Sequence, residues 1–313
     1  MGFLTYFKGV SYKDGQLHIA HTGAKIAVDR VFLRDAGTII KINSYIAAAR
    51  LGQKLRGRGQ PTSLAFYPQP AGPWYNGWLA AKMAGFKVTR DITRADYVFI
   101  FDDKTLSKPD GNWPDTAINV GITDISKHYV GQVFKRVFGY DLSVNPLLYQ
   151  GAMVEKSDEN AAHDGRVVQG PLAVHALRQG SVYQKLVDST ALGPRSEDLR
   201  VIYVMGKIAI VFHKFKHLEK RFGTDYDQVD IRETDDVFSQ AEQASIIKFC
   251  RAMGLDFGAL DVLRDKHDGR IYIVDVNKTG MPVLSLRLRD QVIAFRKIST
   301  QLRRGLSLAP DIY

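Results

Sequence analysis

Two apolar runs joined by a short polar connection constrain the fold of this chain more than any other feature. Residues 257–263 read FGALDVL, residues 271–277 read IYIVDVN, and Asp268 and Gly269 lie between them. Both runs are rich in residue types that strands favour, and an Asp-Gly pair between such runs is a strong signal for a tight turn. The sequence therefore predicts an antiparallel β-hairpin over residues 257–277.

The second strand of this hairpin ends in two oxygen-bearing side chains. Alternate residues of a strand share a face, so Asp275 and Asn277 are expected on the face of Ile271 and Ile273. A register centred on the turn also places Asp261 opposite Asp275. Two opposed carboxylates repel each other, so the arrangement is explained if a cation lies between them. Carboxylate and amide oxygens are the hard ligands that suit Mg²⁺, which commonly binds together with substrate phosphates.

Composition limits the class of protein. The chain has 313 residues, of which 45% are hydrophobic, enough for a sizeable core and two or three lobes. Its single cysteine, Cys250, excludes an internal disulfide and a cysteine-rich zinc site. No apolar run approaches the roughly 18 residues that a membrane span needs, and the first ten residues lack a secretory signal pattern. A cytoplasmic location is the default expectation, and the oligomeric state is left open.

The net charge favours anionic partners. It is +10, from 43 Lys and Arg against 33 Asp and Glu. The densest basic cluster contains Arg50, Lys54, Arg56 and Arg58. Cations at a helix end complement the helix dipole, and the alternative is a peripheral patch for an anionic surface. A specific nucleic-acid partner is not expected.

The first part of the sequence alternates between strand and helix patterns. Strands are predicted at 63–67, 86–89, 96–103 and 116–122, with a helix at 77–86. This order predicts a small Rossmann-like α/β lobe over residues 1–124. A helix-like stretch then follows, so a second domain is assigned to residues 125–313.

The second part reads as an α+β domain. Strands are predicted at 181–188 and in a pair over 198–215 that turns at 205–207, and a helix is predicted at 239–256. In that helix Ile246, Ile247, Cys250 and Met253 share one face, so Cys250 is expected in the core. His213 and His217 lie four residues apart in a strand, about 13 Å, too far to share a zinc ion.

The residues around the hairpin resemble the ATP-grasp superfamily. In that family an aspartate on one strand is followed by a hairpin, an acidic residue, one spacer and an asparagine, matched here by GLDFGALDVL and IYIVDVNKTGMP. The resemblance implies a two-lobed α/β (α+β) nucleotide-binding fold, with Asp261, Asp275 and Asn277 as magnesium ligands and Asp275 bridging the metals that hold ATP. The aspartate at 275 replaces the commoner glutamate, and the usual Pro-Gly ending is absent.

Upstream residues follow the same family order. MVEKSDENAAHDGRVVQGP resembles the strand and polar loop that cover the nucleotide, which implies Lys156 as a phosphate-binding catalytic lysine and a loop over 157–165 that begins at Ser157. Lys127 is a candidate for the first nucleotide-binding lysine. DLRVIYVMGKIA resembles the strand pair that supplies an arginine to the phosphoryl intermediate, which implies Arg200 as a catalytic residue.

The segment VYQKLVD resembles the hinge between the two lobes. The family uses backbone groups of this hinge to bind adenine, and the corresponding residues here are Gln184, Lys185, Leu186 and Val187. The resemblance thus covers roughly residues 125 to 285 in one consistent order.

The resemblance implies an ATP- and magnesium-dependent carboxylate-amine ligase. Such an enzyme activates an acid as an acyl phosphate and joins it to an amine, and its partners are ATP and small-molecule or peptide acids and amines. Two alternatives stay open: an anion-binding protein that has lost catalysis, and a phosphotransferase on the same fold. The sequence contains none of the GxxxxGK[ST], GxSxG or HExxH motifs of rival chemistries.

Overall fold

The computed structural model describes residues 10–19, 24–55, 62–160, 162, 164–191, 193–223 and 226–308. Within these ranges the chain forms four β-sheets and six α-helices. None of those helices combines the length and apolar character needed to cross a bilayer.

The N-terminal part contains two small sheets and two helices. Its elements are β1 (Val10–Lys13), β2 (Gln16–Ile19), β3 (Ala24–Ala27), α1 (Arg30–Leu55), β4 (Ser63–Pro68), α2 (Asn76–Met83), β5 (Lys87–Thr89) and β6 (Tyr97–Phe101). Strands β1 to β3 form an antiparallel meander, and β5-β4-β6 form a parallel sheet with α2 as the crossover. This is the small α/β lobe that the alternating pattern predicts.

The strand predicted at 116–122 is wrong. Only Ile118 makes a single parallel bridge there, with Phe99 of β6. The next residue, Asn119, has a φ of 64° and points its side chain at the backbone of a later strand. A positive φ interrupts extended structure, so the chain turns where a β-rich composition suggested a strand.

The middle part is a three-stranded antiparallel sheet preceded by a helix. It consists of α3 (Lys127–Phe138), β7 (Gly151–Ser157), β8 (Arg166–Gly170) and β9 (Ser181–Lys185), in the sheet order β8-β7-β9. Ser126 caps α3 by accepting from the backbone N–H of Tyr129, and Gly139 ends the helix at a φ of 79°.

The C-terminal part is a five-stranded antiparallel sheet with three helices. Its elements are β10 (Arg195–Val204), β11 (Lys207–His217), β12 (Gln228–Arg232), α4 (Thr234–Val237), α5 (Gln240–Met253), β13 (Phe257–Arg264), β14 (Ile271–Asn277) and α6 (Leu288–Gly305). The strand order is β12-β11-β10-β13-β14. The predicted turn between β10 and β11 is present, with Met205 and Gly206 at φ values of 44° and 87°.

Alternate residues of β10 face opposite sides of this sheet. Leu199 and Val201 pack in one core with α3 and α5, and Cys250 is fully buried in the same core as predicted. Ile202 and Val204 pack in a second core with α2 and α6. Arg200 lies on this second face as well, in the part of the sheet that lines a cavity.

The N-terminal lobe and the large sheet share that second core. It joins α1, β4, α2 and β6 to α6 and to β10, β11 and β13. Helix α6 packs against α2, so the end of the second predicted domain lies against the first.

Arg50, one residue of the predicted basic cluster, makes hydrogen bonds within the protein. Its guanidinium donates to the carbonyl oxygens of Phe86 at 2.6 Å and Gly85 at 3.0 Å, just after α2. Arg56, Arg58 and the side chain of Lys54 lie outside the described residues. Arg50 therefore fixes the packing of α1 against the segment after α2, and both interpretations of the basic cluster stay predictions.

Candidate active site

A cavity of about 1660 Å³ lies between the β7–β9 sheet, the five-stranded sheet and loops of the N-terminal lobe. Typical small-molecule sites measure roughly 300–1,000 Å³. The cavity therefore has room for a nucleotide together with a second reactant.

The hairpin register predicted from the sequence is confirmed. Asp261 of β13 pairs directly with Asp275 of β14, and Ala259 pairs with Asn277. Asp261, Asp275 and Asn277 all line the cavity. The three oxygen-bearing side chains thus reach the same side of the sheet.

A bulge that the sequence did not reveal changes the face of the preceding residues. The register shifts between Asp261 and Val262, which leaves Val274 as the extra residue of β14. Val274 lines the cavity beside Asp275, while Ile273 is fully buried in the opposite core. The expectation that Ile273 shares a face with Asp275 is therefore wrong.

Two basic side chains already contact Asp261. Nη1 of Arg200 lies 3.1 Å from both carboxylate oxygens, and Nζ of Lys214 lies 3.3 Å from Oδ1. Burial opposes ionisation of Asp261, but Lys214 and Arg200 outweigh it and hold the pKa of the carboxyl well below its usual range. Asp261 is therefore ionised at neutral pH.

Asp275 has an oxygen without a partner. Its Oδ1 is buried and makes no hydrogen bond among the described residues. Burial raises the pKa of Asp275, an effect that the ammonium of Lys156 opposes and the carboxylate of Asp261 reinforces. A buried, unpaired carboxylate oxygen is costly, and it is the kind of atom that a bound cation satisfies.

Lys156 reaches this point from the other sheet. Its Nζ donates to the carbonyl oxygen of Val274 at 2.9 Å, across the cavity from β7 to β14. Burial lowers the pKa of Lys156 to about 8, and the nearby Asp275 partly offsets the effect. The predicted phosphate lysine and the predicted metal ligands therefore meet at one place.

Asn277 also has a structural task. Its Oδ1 accepts from the backbone N–H of Thr279 at 2.9 Å, which forms the turn after β14. Gly280 then lies against Arg200, where an added Cβ would stand 3.1 Å from Nη2. The turn thus keeps the following loop close to the arginine.

Lys127 and the predicted covering loop are joined to each other. The Nζ of Lys127 donates to the carbonyl of Glu159, and the backbone N–H of Asn160 donates to Oγ1 of Thr105 at 2.8 Å. Lys127 and residues 158–160 line the cavity, whereas Ser157 does not, and its N–H donates to Asp164. His163 lies outside the described residues.

The predicted hinge follows β9. Gln184, Lys185 and Val187 line the cavity, while Leu186 does not. Gln184 is 2% exposed, and its Nε2 has no hydrogen-bond partner among the described residues. Arg221 donates to the carbonyl oxygen of Val187 at 3.1 Å.

The side chain of Lys185 is bound within the protein. It contacts Asp265 at 2.9 Å, Asp268 at 3.2 Å and the hydroxyl of Tyr272 at 3.0 Å. These contacts tie the end of β9 to the hairpin turn. The backbone N–H of Lys185 also donates to the carbonyl oxygen of Leu142 at 2.8 Å, so neither its side chain nor its N–H is free for the adenine contact that the resemblance implies.

A small antiparallel sheet carries a lysine, leads into a hinge, and faces a larger sheet whose hairpin presents Asp261, Asp275 and Asn277. This is the two-lobed arrangement that the resemblance to the ATP-grasp superfamily implies. The site residues named from the sequence all lie between Lys127 and Asn277, in the middle and C-terminal parts of the chain or in the segments that join them.

Comparisons with known proteins give distant structural neighbours. No protein-family model matches the sequence, and a search of curated proteins finds no match. Among solved structures, the chain is 10% identical to D-alanine–D-alanine ligase from Bacillus anthracis complexed with ATP, with a TM-score of 0.46 over 79% of this chain and 97% of that one.

Two further neighbours are structures in complex with precursors. The ATP-grasp ligase PsnB, complexed with a minimal precursor, is 12% identical, with a TM-score of 0.39 over 64% of this chain and 80% of that one. The macrocyclase MdnC from Microcystis aeruginosa, bound to the precursor peptide MdnA, is 14% identical, with a TM-score of 0.38 over 68% and 79%.

Two lysines of the cavity were not predicted from the sequence. Lys214 and Lys216 of β11 line it and are 1% and 5% exposed. Both belong to the segment HKFKH, whose alternation places them on one face of a strand. On β10, Asp198 pairs with Lys214 and Ser196 pairs with Lys216, and Arg200 follows two residues later on the same face. The two paired alternations are the signal that could have found them.

Proposed function

We propose that this chain is an ATP- and magnesium-dependent ligase that activates a carboxylic acid as an acyl phosphate and joins it to an amine. The observation that carries the proposal is the meeting of Lys156 from one sheet with the opposed pair Asp261 and Asp275 from the other. The fold and the distant ligase neighbours are consistent with it.

The residues at the hairpin fit magnesium. Asp275 offers a buried oxygen without a partner, Asp261 is ionised, and Asn277 adds an amide oxygen that still has a free lone pair after its bond to Thr279. When bound, magnesium would neutralise the charge of the nucleotide phosphates and of the transferring phosphoryl group.

The side chains of the protein supply the remaining charge compensation. Lys156 extends a compact cation from β7 toward the phosphates, and Arg200 stands on β10 beside Asp261, where the reacting carboxylate must approach. A guanidinium at that position stabilises negative charge that develops on the attacked carbonyl oxygen.

The hinge and the covering loop complete the site. Gln184 and the backbone after β9 face the cavity where adenine would bind. Residues 158–160 contact Lys127 at the start of α3 and Thr105 of the N-terminal lobe, and so cover the cavity. A covered site keeps water from an acyl phosphate, which hydrolyses readily.

A second candidate is an anion-binding protein without catalysis. It is favoured by one observation: Arg200 and Lys214 already satisfy Asp261, so protein cations occupy part of the position where metal is expected. In that case nucleotide binds, but no acid is activated.

The test is a screen for ADP formation. Purified protein with MgATP is incubated with pools of carboxylic acids and amines, and products are identified by mass spectrometry. A new amide, formed only when acid, amine and MgATP are all present, supports the ligase. A stable phosphorylated product identifies a phosphotransferase, and nucleotide binding without ADP from any pool supports the non-catalytic alternative.

A further inference from the structure

Two buried lysines line one wall of the cavity, and the proposed ligase reaction assigns a role to neither. Lys214 and Lys216 are two residues apart on β11, so their side chains leave the strand about 7 Å from each other on one face. Ammonium groups are rarely buried without compensating charge, because desolvating them is costly. Their surroundings therefore decide what this wall can bind.

The wall holds more positive than negative charge. Lys214 lies 3.3 Å from Asp261, and Lys216 lies 2.9 Å from Asp198. Arg200 shares Asp261 with Lys214, so three cations face two carboxylates on β10, β11 and β13. A buried surplus of this kind favours an incoming anion.

An aromatic ring fixes the two ammonium groups. Tyr226 places its ring 4.5 Å from Nζ of Lys214 and 5.2 Å from Nζ of Lys216, and its hydroxyl accepts from Lys214 at 3.0 Å. Cation–π contacts position the two ammonium groups but do not neutralise their charge, because the ring carries no net charge. The positions of both ammonium donors are therefore fixed by the protein.

Lys216 is separated from the expected position of the nucleotide phosphates, whereas Lys214 contacts Asp261 beside it. The phosphates are expected between Lys156 and the opposed carboxylates. Lys216 lies on β11, one strand further from β14 than Arg200 on β10, and it pairs with Ser196 near the start of β10. Arg200 stands between the two places. An acid held at Arg200 can therefore extend along β11 toward Lys216.

We propose that Lys214, Lys216 and Tyr226 form a subsite for a second carboxylate of the acid substrate, so that the enzyme selects acids with two carboxylates over monocarboxylic acids. The inference rests on the proposed ligase function and specifies its substrate class. One carboxylate is activated near Arg200, and the other is held by the lysines at a distance set by the strand spacing.

The experiment compares two probes of matched shape, glutarate and its half-amide glutaramate. Each is titrated by calorimetry into protein saturated with MgADP. The wild type is expected to bind glutarate about tenfold more tightly, the gain of one charge-assisted hydrogen bond in a buried site. Lys216→Met is expected to remove this preference, and Lys216→Arg to retain it. Lys207→Met, at the exposed start of β11, serves as the control and should behave as wild type.

The outcomes separate this inference from the ligase proposal. MgADP binding that is intact in wild type and Lys216→Met, with loss of glutarate preference only in the variant, supports the subsite. Equal binding of the two probes by wild type, or no binding of glutarate at millimolar concentration while MgADP binds, overturns it and leaves the ligase proposal standing. Weakened MgADP binding in Lys216→Met also overturns it, because the lysine would then serve the nucleotide. Failure of wild type to bind MgADP counts against the proposed function itself.

Discussion

Asp275 illustrates how far a single residue can be understood from the sequence. Its spacing from the turn predicted a partner in Asp261, and the structure confirms that pairing. Lys214 and Lys216 were not predicted, although the strand pair that carries them and its turn at 205–207 were, because the pairing of β11 with the charged residues of β10 was not followed along the strands. The two histidines of HKFKH attracted attention, while the functional candidates were the lysines between them.

Asp275→Asn should keep the fold and weaken magnesium-dependent nucleotide binding. The amide has nearly the same size, and removing a buried charge opposed to Asp261 relieves repulsion, so the melting temperature without metal should stay unchanged or rise. The affinity for MgADP should fall at least about tenfold, as expected for loss of one charge-assisted contact. Thermal melting and calorimetric titration measure the two effects.

Asp141→Asn provides the matched control, since Asp141 is an exposed partner of Lys135. The role of Asp275 as a metal ligand is rejected if its variant binds MgADP like this control.

Lys156→Met should bind nucleotide more weakly at unchanged stability. Methionine keeps the length and apolar stem of the side chain but removes the cation, and a buried ammonium costs stability when no anion is present. The affinity for ADP should fall about tenfold or more. Lys135→Met, on the exposed surface of α3, is the comparison. If both variants bind ADP equally, Lys156 does not contact phosphate.

Among the elements, the hairpin and α5 were the most predictable. Composition, the Asp-Gly turn and a repeating apolar face identified them, and Ser239 begins α5 with a capping box that includes Glu242. The bulge at Val274 was not predictable, since an extra residue in one strand leaves no mark in the apolar pattern. The strand predicted at 116–122 does not form, because Asn119 donates to the carbonyl oxygen of Phe257 in β13 and this contact determines the local backbone conformation.

Helix α2 carries a lysine that should make stability depend on pH. Burial, with a contribution from the guanidinium of Arg50, lowers the pKa of Lys82 to about 8 from the ordinary 10.5. Between these values the unfolded chain binds more protons, so the free energy of unfolding contributed by Lys82 rises with pH over this window. Below pH 8 the charged lysine destabilises the fold.

Lys82→Met should therefore stabilise the protein at pH 7 by about 1 kcal/mol, a figure that allows for the partial solvent exposure of the lysine. The advantage should shrink as the pH rises toward 10.5. Denaturation of both proteins at several pH values measures it. Lys87→Met, at the exposed first residue of β5, should show no such trend. A difference in unfolding free energy between Lys82→Met and wild type that stays constant across the pH range would refute the assignment.

For the whole molecule, the joining of the lobes could not be predicted from the sequence. Periodicity shows that a helix has an apolar face but does not name its partner, so the packing of α6 on α2 and the shared core appear only in three dimensions. A buried asparagine reinforces this junction. Oδ1 of Asn119 accepts from the N–H groups of Asp256 and Phe257, and Nδ2 donates to the carbonyl of Phe257.

Asn119→Ala should destabilise the protein by about 3 kcal/mol. The change removes three hydrogen bonds, two of them buried and one partly buried, and places alanine at a positive φ that asparagine tolerates better. Chemical denaturation measures the loss of unfolding free energy. A loss below about 1 kcal/mol would mean that the lobes are joined by apolar packing alone.

The central claim concerns the cavity between the lobes, and calorimetric titration of ATP into the wild-type protein, with and without magnesium, tests it most directly. We expect saturable binding of one nucleotide per chain with magnesium, an affinity at least about tenfold weaker after chelation, and a rise in melting temperature that follows the binding. Absence of ATP binding at millimolar MgATP, or binding that ignores magnesium, would contradict the account of Asp261, Asp275 and Lys156 as a nucleotide site.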